Sequence, residues 1–235
     1  MSRTIKIFKL ELNKPKNMRN LFIIMFAFLI FSCITENIKE VPSNFLGSIP
    51  YIILLSSFYV LGIEFQAKTD KIIFSCSYTK NEIMFSKLIC IVVKSFIIGI
   101  FYIIINYAIN LYLGTNLNSI FSINQILNFF INLTIYSVMI TSCIFLITLL
   151  TGNGKITGVI IYILFFDLIH TLLSQALNSS SISKSTAFLI ENSPFYTANL
   201  GLVTNNYSFV QITFILISSA SCILLSHIIL NKRCI

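Results

Sequence analysis

The sequence predicts an all-α, polytopic membrane protein, with six transmembrane helices preceded by an amphipathic helix at the membrane interface. Three observations predict it. Hydrophobic residues make up 56% of the 235-residue chain and charged residues 10%, with a mean hydropathy of +0.89. That charge falls well short of the roughly 25% with which a soluble domain faces water. Apolar windows long enough to cross a bilayer, roughly 17–25 residues each, fill most of the length, so residues 1–235 read as a single membrane domain. Basic residues gather in alternate connectors between those windows. The net charge of +8 is therefore a topology signal. A nucleic-acid surface would interleave a basic patch with aromatic residues, and no nucleic-acid partner is expected.

Residues 1–20 carry Arg3, Lys6, Lys9, Lys14, Lys16 and Arg19 against one acid, Glu11. Wound as a helix, Ile5, Phe8 and Leu12 share a face while Lys6 and Lys9 point elsewhere, the pattern of a segment lying in the headgroup layer. Pro15 ends this element, because it cannot continue the backbone ladder. The first span, 21–34, reaches crossing length when extended back to Met18. A basic stretch before a short apolar run also describes a signal peptide, and Ile30-Phe31-Ser32-Cys33 approximates a lipoprotein cleavage site. Removal there would leave the lysine-rich connectors outside, where they do not belong.

A short loop with Glu36, Lys39, Glu40 and Pro42 leads to a second span, 46–63. Residues 64–87 then form the longest polar stretch between apolar runs, with Lys68, Lys71, Lys80 and Lys87 around two apolar sets, Ile72-Ile73-Phe74 and Ile83-Met84-Phe85. A merely solvated loop has no need of those sets, so something is expected to dock there. The third span is 88–113, with Lys94 snorkelling to the interface on its four-carbon stem. The fourth, 126–150, ends at Thr151-Gly152-Asn153-Gly154-Lys155, a tight turn of the kind Gly and Asn permit. The fifth is 156–177. Residues 178–208 are too broken to span and too apolar for an ordinary loop. They read either as a re-entrant hairpin, tolerated where protein buries the backbone, or as a surface-lying segment. The last span, 209–230, closes on Lys232 and Arg233.

With the amino end inside, the basic residues of the first segment, of 64–87, Lys155, Lys232 and Arg233 all fall on one side, against Lys39 and Lys184 on the other. This is the positive-inside asymmetry. It predicts a multi-pass protein of the cell membrane with both termini cytoplasmic.

Within the spans, Asp167 and His170 stand out, since ionisable groups at mid-bilayer are costly unless paired or wet. Three apart on a helix, they share a face continued by Thr171 and Ser174. The strip reads either as part of a substrate or proton path or as a packing lock. Ser95, Gly99, Tyr102, Asn106 and Asn110 make a small or polar stripe in the third span, and Gln211, Ser218, Cys222 and Ser226 make another in the sixth. Such stripes face protein or a cavity. The six cysteines include no CxxC pair and read as packing residues, without a metal or disulfide framework. No GxxxxGK[ST], HExxH or GxSxG motif occurs. No catalytic, metal-binding or cofactor-binding residue is expected, and the chain is not expected to be an enzyme.

The stretch 64–87 resembles the coupling segment of the small six-helix permease subunits of ABC-2 type exporters. In that family an acid ends the second span, and the segment closes on a leucine-x-x-x-proline-x-serine-arginine-x-glutamate pattern before a lysine opens the third. Here Glu64 takes the acid position, Thr79-Lys80-Asn81-Glu82 matches the hydroxyl, basic, x, glutamate part, and Lys87-Leu88 opens the next span. Ser77 stands where proline is usual. The layout is similar along the whole chain, including the segment around Ser193-Pro194-Phe195-Tyr196, where such permeases have short re-entrant helices. The resemblance implies a type V exporter-like permease fold and a second permease chain, identical or related. It also implies a cytoplasmic ABC ATPase that carries the ATP and Mg. Glu64, Ile72, Ile73, Phe74, Lys80, Glu82, Ile83, Met84, Phe85 and Lys87 would then be the ATPase-coupling residues. Permeases of this size and composition are similar to lantibiotic-immunity and phenol-soluble-modulin exporters, which implies an amphipathic antimicrobial or cytolytic peptide, or another hydrophobic compound, entering from membrane lipid. Two other expectations stand beside this one: a proton-coupled secondary transporter using Asp167 and His170, and a membrane immunity protein that binds its target without moving it.

Overall fold

The structure is a computed structural model that describes residues 3–66, 79–114, 122–166, 168–179 and 182–232. Those residues form ten helices and no strand: α1 Arg3–Asn13, α2 Pro15–Thr35, α3 Val41–Gln66, α4 Lys80–Tyr112, α5 Ile123–Thr151, α6 Gly154–Phe165, α7 Leu168–Leu177, α8 Lys184–Glu191, α9 Pro194–Val203 and α10 Phe209–Lys232. Six stretches are long and apolar enough to cross a membrane, with α6 and α7 together making the fifth.

Helix α5 is the hub. It packs against α3, α4, α6, α9 and α10, and two-thirds of its most apolar stretch is buried within the chain, against about a sixth for α2 and α10. The reason is its small and polar face. Ser137, Thr141, Ser142 and Thr148 are buried, and the first three hydroxyls donate to carbonyls three or four residues back. They ask nothing of neighbouring helices and let them approach closely. At the facing stripe of α4, a Cβ on Gly99 would lie 2.8 Å from the Phe130 ring, and Ser95, Tyr102 and Asn106 are buried beside it. The stripe expected from the sequence faces protein. Likewise Ser218 and Ser219 donate to Met139 Sδ, and the Cys222 and Cys143 sulfurs lie 3.8 Å apart as free thiols.

The helices alternate in direction, and three contacts gather both chain ends at one end of the bundle. Lys87 meets Glu11, Lys80 Nζ donates to the Leu230 carbonyl at 2.7 Å, and His227 meets Asn81 at 2.6 Å. We call this the terminal end and its opposite the distal end. Turns at either end are set locally. Gly152 closes α5 with φ of 62°, and Asn153 caps α6 by accepting from the Lys155 amide. The tight turn read at residues 151–155 is present.

Several boundaries differ from those expected. The third span starts at Lys80, eight residues before Leu88, because Thr79 and Glu82 form a reciprocal capping box that nucleates the helix. At 1.5 Å per residue, the 33 residues of α4 extend about 50 Å against a hydrocarbon core of about 30 Å. The helix is therefore longer than the core is thick, and Lys80, Glu82 and Lys87 in its first two turns make the terminal end the one to project, since charged groups avoid hydrocarbon. Pro15 does more than end α1: it sits in the first turn of α2, where its missing N–H costs nothing. The fifth span is broken after Phe165. Residues 178–208 hold two short helices, of which α8 buries no residue while α9 buries Pro194, Thr197, Ala198, Gly201 and Leu202.

Candidate functional site

Two polar regions interrupt the apolar bundle, one at each end. At the terminal end, α1 lies along the projecting turns of α4. Its buried edge is Ile7 and Glu11, whereas Ile5 is exposed and Phe8 and Leu12 are half-buried. The inward face is centred on Ile7 and Glu11, with Phe8 and Leu12 packed against the core beside them. Glu11 Oε1 accepts from Lys14 Nζ at 2.8 Å and from Lys87 Nζ at 3.5 Å. Lys87, 1% exposed, also donates to the Val60 carbonyl of α3 at 3.1 Å. Asn17 Nδ2 donates to the Glu11 carbonyl, tying the start of α2 to the same point. One lysine thereby joins α1, α3 and α4.

Two turns further along α4, Lys94 is wholly buried, and its Nζ has no hydrogen-bond partner. The expectation that it snorkels to the interface is overturned: Lys87, Cys90 and Lys94 recur at i, i+3, i+7 and so share the inward face. The carboxylate atom Glu11 Oε2 in the same region is also buried without a partner.

The sequence-expected coupling residues divide. Ile72, Ile73 and Phe74 lie outside the described residues. Glu64 is in the last two turns of α3. Lys80 and Glu82 are half-buried at the start of α4, while Ile83 and Met84 are each 2% exposed and belong to the chain's own core. Of the second apolar set, only Phe85, 49% exposed, is free to meet a partner. The reason is helical: with α4 starting at Lys80, residues 83, 84 and 87 turn inward together. Around them Lys80 holds the Leu230 carbonyl, and Asn81 meets His227, whose other ring nitrogen meets Asn231 at 3.0 Å. Sequence reasoning missed Glu11, His227 and the burial of Lys94. The available signals were the lone acid among six bases and the helical spacing of Lys87 and Lys94.

Toward the distal end lies the break between α6 and α7. Phe165 is twelve residues into α6, about 18 Å along its axis. At the end of α6, Asn199 Nδ2 of α9 donates to the Phe165 carbonyl at 2.5 Å, leaving Asn199 Oδ1 buried and unpaired. Helix α9 packs against α5, α6, α7 and α10, with Thr197, Ala198, Gly201 and Leu202 buried. Asp167, at the break, lies outside the described residues. His170 stacks on Tyr196 of α9, ring centroids 5.1 Å apart, and lines a small cavity of about 180 Å³ with Phe166, Asn199, Leu200 and Val203. Thr171 is exposed, and Ser174 donates back to the Thr171 carbonyl. Asn106 and Asn110 lie elsewhere, near the distal end of α4: the Asn110 amide donates to Asn106 Oδ1 at 2.6 Å, and Asn106 in turn meets the Tyr102 hydroxyl.

No group of three or more His, Cys, Asp or Glu side chains among the described residues could hold a metal ion. No protein-family model matches the chain, and no curated protein matches it either.

Proposed function

We propose that this chain is the membrane-spanning permease subunit of an ATP-driven exporter of the ABC-2 type. It works in the cell membrane with both termini cytoplasmic. ATP and Mg belong to a separate cytoplasmic ATPase chain, and a second permease chain completes the pathway. The cargo class is amphipathic antimicrobial or cytolytic peptides and similar hydrophobic compounds, entering from the lipid.

The observation that supports this reading is mechanical. The connector 67–79 joins α3 to the projecting end of α4, and Lys87 ties that end to both α1 and α3. Lys80 ties it to α10. A force applied to the connector and to exposed Phe85 is passed to α1, α3, α4 and α10 together. An ATPase closing beneath the membrane would thus tilt half the bundle as a unit, opening the interface between two permeases.

The test is co-purification with the cognate ATPase, followed by peptide export in cells. Phe74→Asp with Phe85→Asp is expected to abolish both while leaving the permease in the membrane. Export that persists when the ATPase cannot hydrolyse ATP would overturn the proposal.

The interruption between α6 and α7 favours a second reading, since broken helices also build the ion sites of secondary transporters. There Asp167→Asn abolishes transport; in an ATP-driven exporter it leaves transport largely active.

A further inference from the structure

We propose that the groove between α3 and α6 is a binding site for an anionic membrane lipid, with an acyl chain held between the helices and the headgroup on Lys155. This rests on the chain crossing a bilayer and not on the export reading. The groove has a volume of about 380 Å³ and is walled by Leu54, Leu55 and Phe58 of α3, Ile144 of α5, and Gly158 and Tyr162 of α6. That volume falls within the roughly 300–1,000 Å³ of small-molecule sites. Its walls are almost wholly apolar, and exposed Leu55, Val159 and Tyr162 open it sideways. Gly158 keeps it open: a Cβ there would already touch the Phe58 ring at 3.7 Å, and any longer side chain would extend into the space.

Lys155 lines the mouth of this slot. It is exposed and makes no ion pair among the described residues. From Lys155 to Tyr162 is seven residues, about 10 Å of helix, most of one leaflet of a hydrocarbon core about 30 Å thick. A cation at headgroup depth above an apolar slot of leaflet length complements an anionic amphiphile. A second copy is the poorer occupant. In a two-fold pair the same patch meets itself, and this patch carries no acid for Lys155.

The chain contains no tryptophan, so Tyr162→Trp supplies a single reporter inside the groove. The purified protein is reconstituted in nanodiscs containing dibrominated phosphatidylglycerol or dibrominated phosphatidylcholine, and fluorescence quenching is compared at equal mole fraction. One basic residue near an anionic surface gives about a fivefold preference, so about fivefold stronger quenching by the anionic lipid is expected. Lys155→Gln removes the preference, Lys155→Arg retains it, and Gly158→Leu reduces quenching by both lipids. Ile23→Trp, on the exposed face of α2, reports the general attraction of a basic protein. Equal quenching by the two lipids would overturn the proposal, as would the same preference at Ile23→Trp. So would a Tyr162→Trp reporter that neither lipid reaches, which would mean that a second copy covers the groove.

Discussion

At Glu11 a carboxylate is held almost out of water by one exposed lysine and one buried lysine. Removing one partner of a buried pair costs about 3–5 kcal/mol, more than the pair contributes over apolar replacements. The Lys87 contact of 3.5 Å is long for a charge-assisted bond, so the low end applies. Glu11→Gln is expected to lower the free energy of unfolding in detergent by about 3 kcal/mol. Glu11→Gln with Lys87→Met should cost less than the two changes summed, by at least about 0.5 kcal/mol; strict additivity would mean that the two side chains do not interact. Lys94 has the opposite sign. A buried donor without a partner costs about 1–3 kcal/mol, so Lys94→Met should raise the unfolding midpoint, and a fall would show that Lys94 gains a partner in the working assembly. Outside the spans, a hydrogen bond shared with Glu40, together with its charge, holds Glu36 above the usual carboxylate range. The folded chain binds that proton more tightly than the unfolded one, so the contact favours the fold at acidic pH and the benefit is lost as pH rises through the raised pKa. Carboxyl resonances should show Glu36 moving down toward the ordinary range in Glu40→Gln.

The helices themselves were largely legible in the sequence, because burial in lipid demands long apolar runs and these can be counted. The six spans, the Gly152 turn and the packing stripe of α4 follow from that requirement. What composition does not carry is the backbone within an apolar run. Nothing in 156–177 marks the Phe165 carbonyl as a docking point, since its partner, Asn199, lies on α9. Asn199→Leu should therefore destabilise the distal half of the fold by about 1–3 kcal/mol, seen as faster hydrogen exchange around residues 162–170 with the terminal end unchanged. The docking of α9 has a second signature. A Cβ on Gly201 would overlap the Tyr207 ring, and the Tyr207 hydroxyl donates to the Ala198 carbonyl. Gly201→Ala should displace the ring and lower thermal stability, and Tyr207→Leu in the same chain should recover part of the loss. Equal loss in the single and double variants would place the cause elsewhere. At the start of α4 the capping box was readable as Thr79-x-x-Glu82, the pattern that also matched the coupling segment. The inward turn of Ile83 and Met84 follows from it once the helix is started at Lys80.

For the molecule as a whole, the charge asymmetry and the packing point to one arrangement by independent routes. Lys6, Lys9, Lys14, Lys80, Lys87 and Lys155 are drawn to the terminal end by contacts or turns of the fold, while Lys39 and Lys184 sit with the distal loops. Positive charge is retained on the cytoplasmic side of a membrane, so the terminal end should be inside, where ATP is. Sidedness therefore decides more than topology: a connector facing outward could receive no force from ATP hydrolysis. In a chain whose native cysteines are replaced, single cysteines at exposed Lys39 and Ser179 should react with an impermeant maleimide on intact cells. Cysteines at exposed Lys9 and Asn231 should react only after the membrane is opened. The reverse pattern would place connector 67–79 outside and remove ATP-driven export, while leaving the bundle, its broken helix and the α3–α6 groove as they are. A mixed pattern, with Lys9 outside and Asn231 inside, would mean an odd number of crossings. The weakest candidate is then α2, whose most apolar stretch is mostly unburied in the chain, so that lipid contact must supply much of what holds it across the membrane.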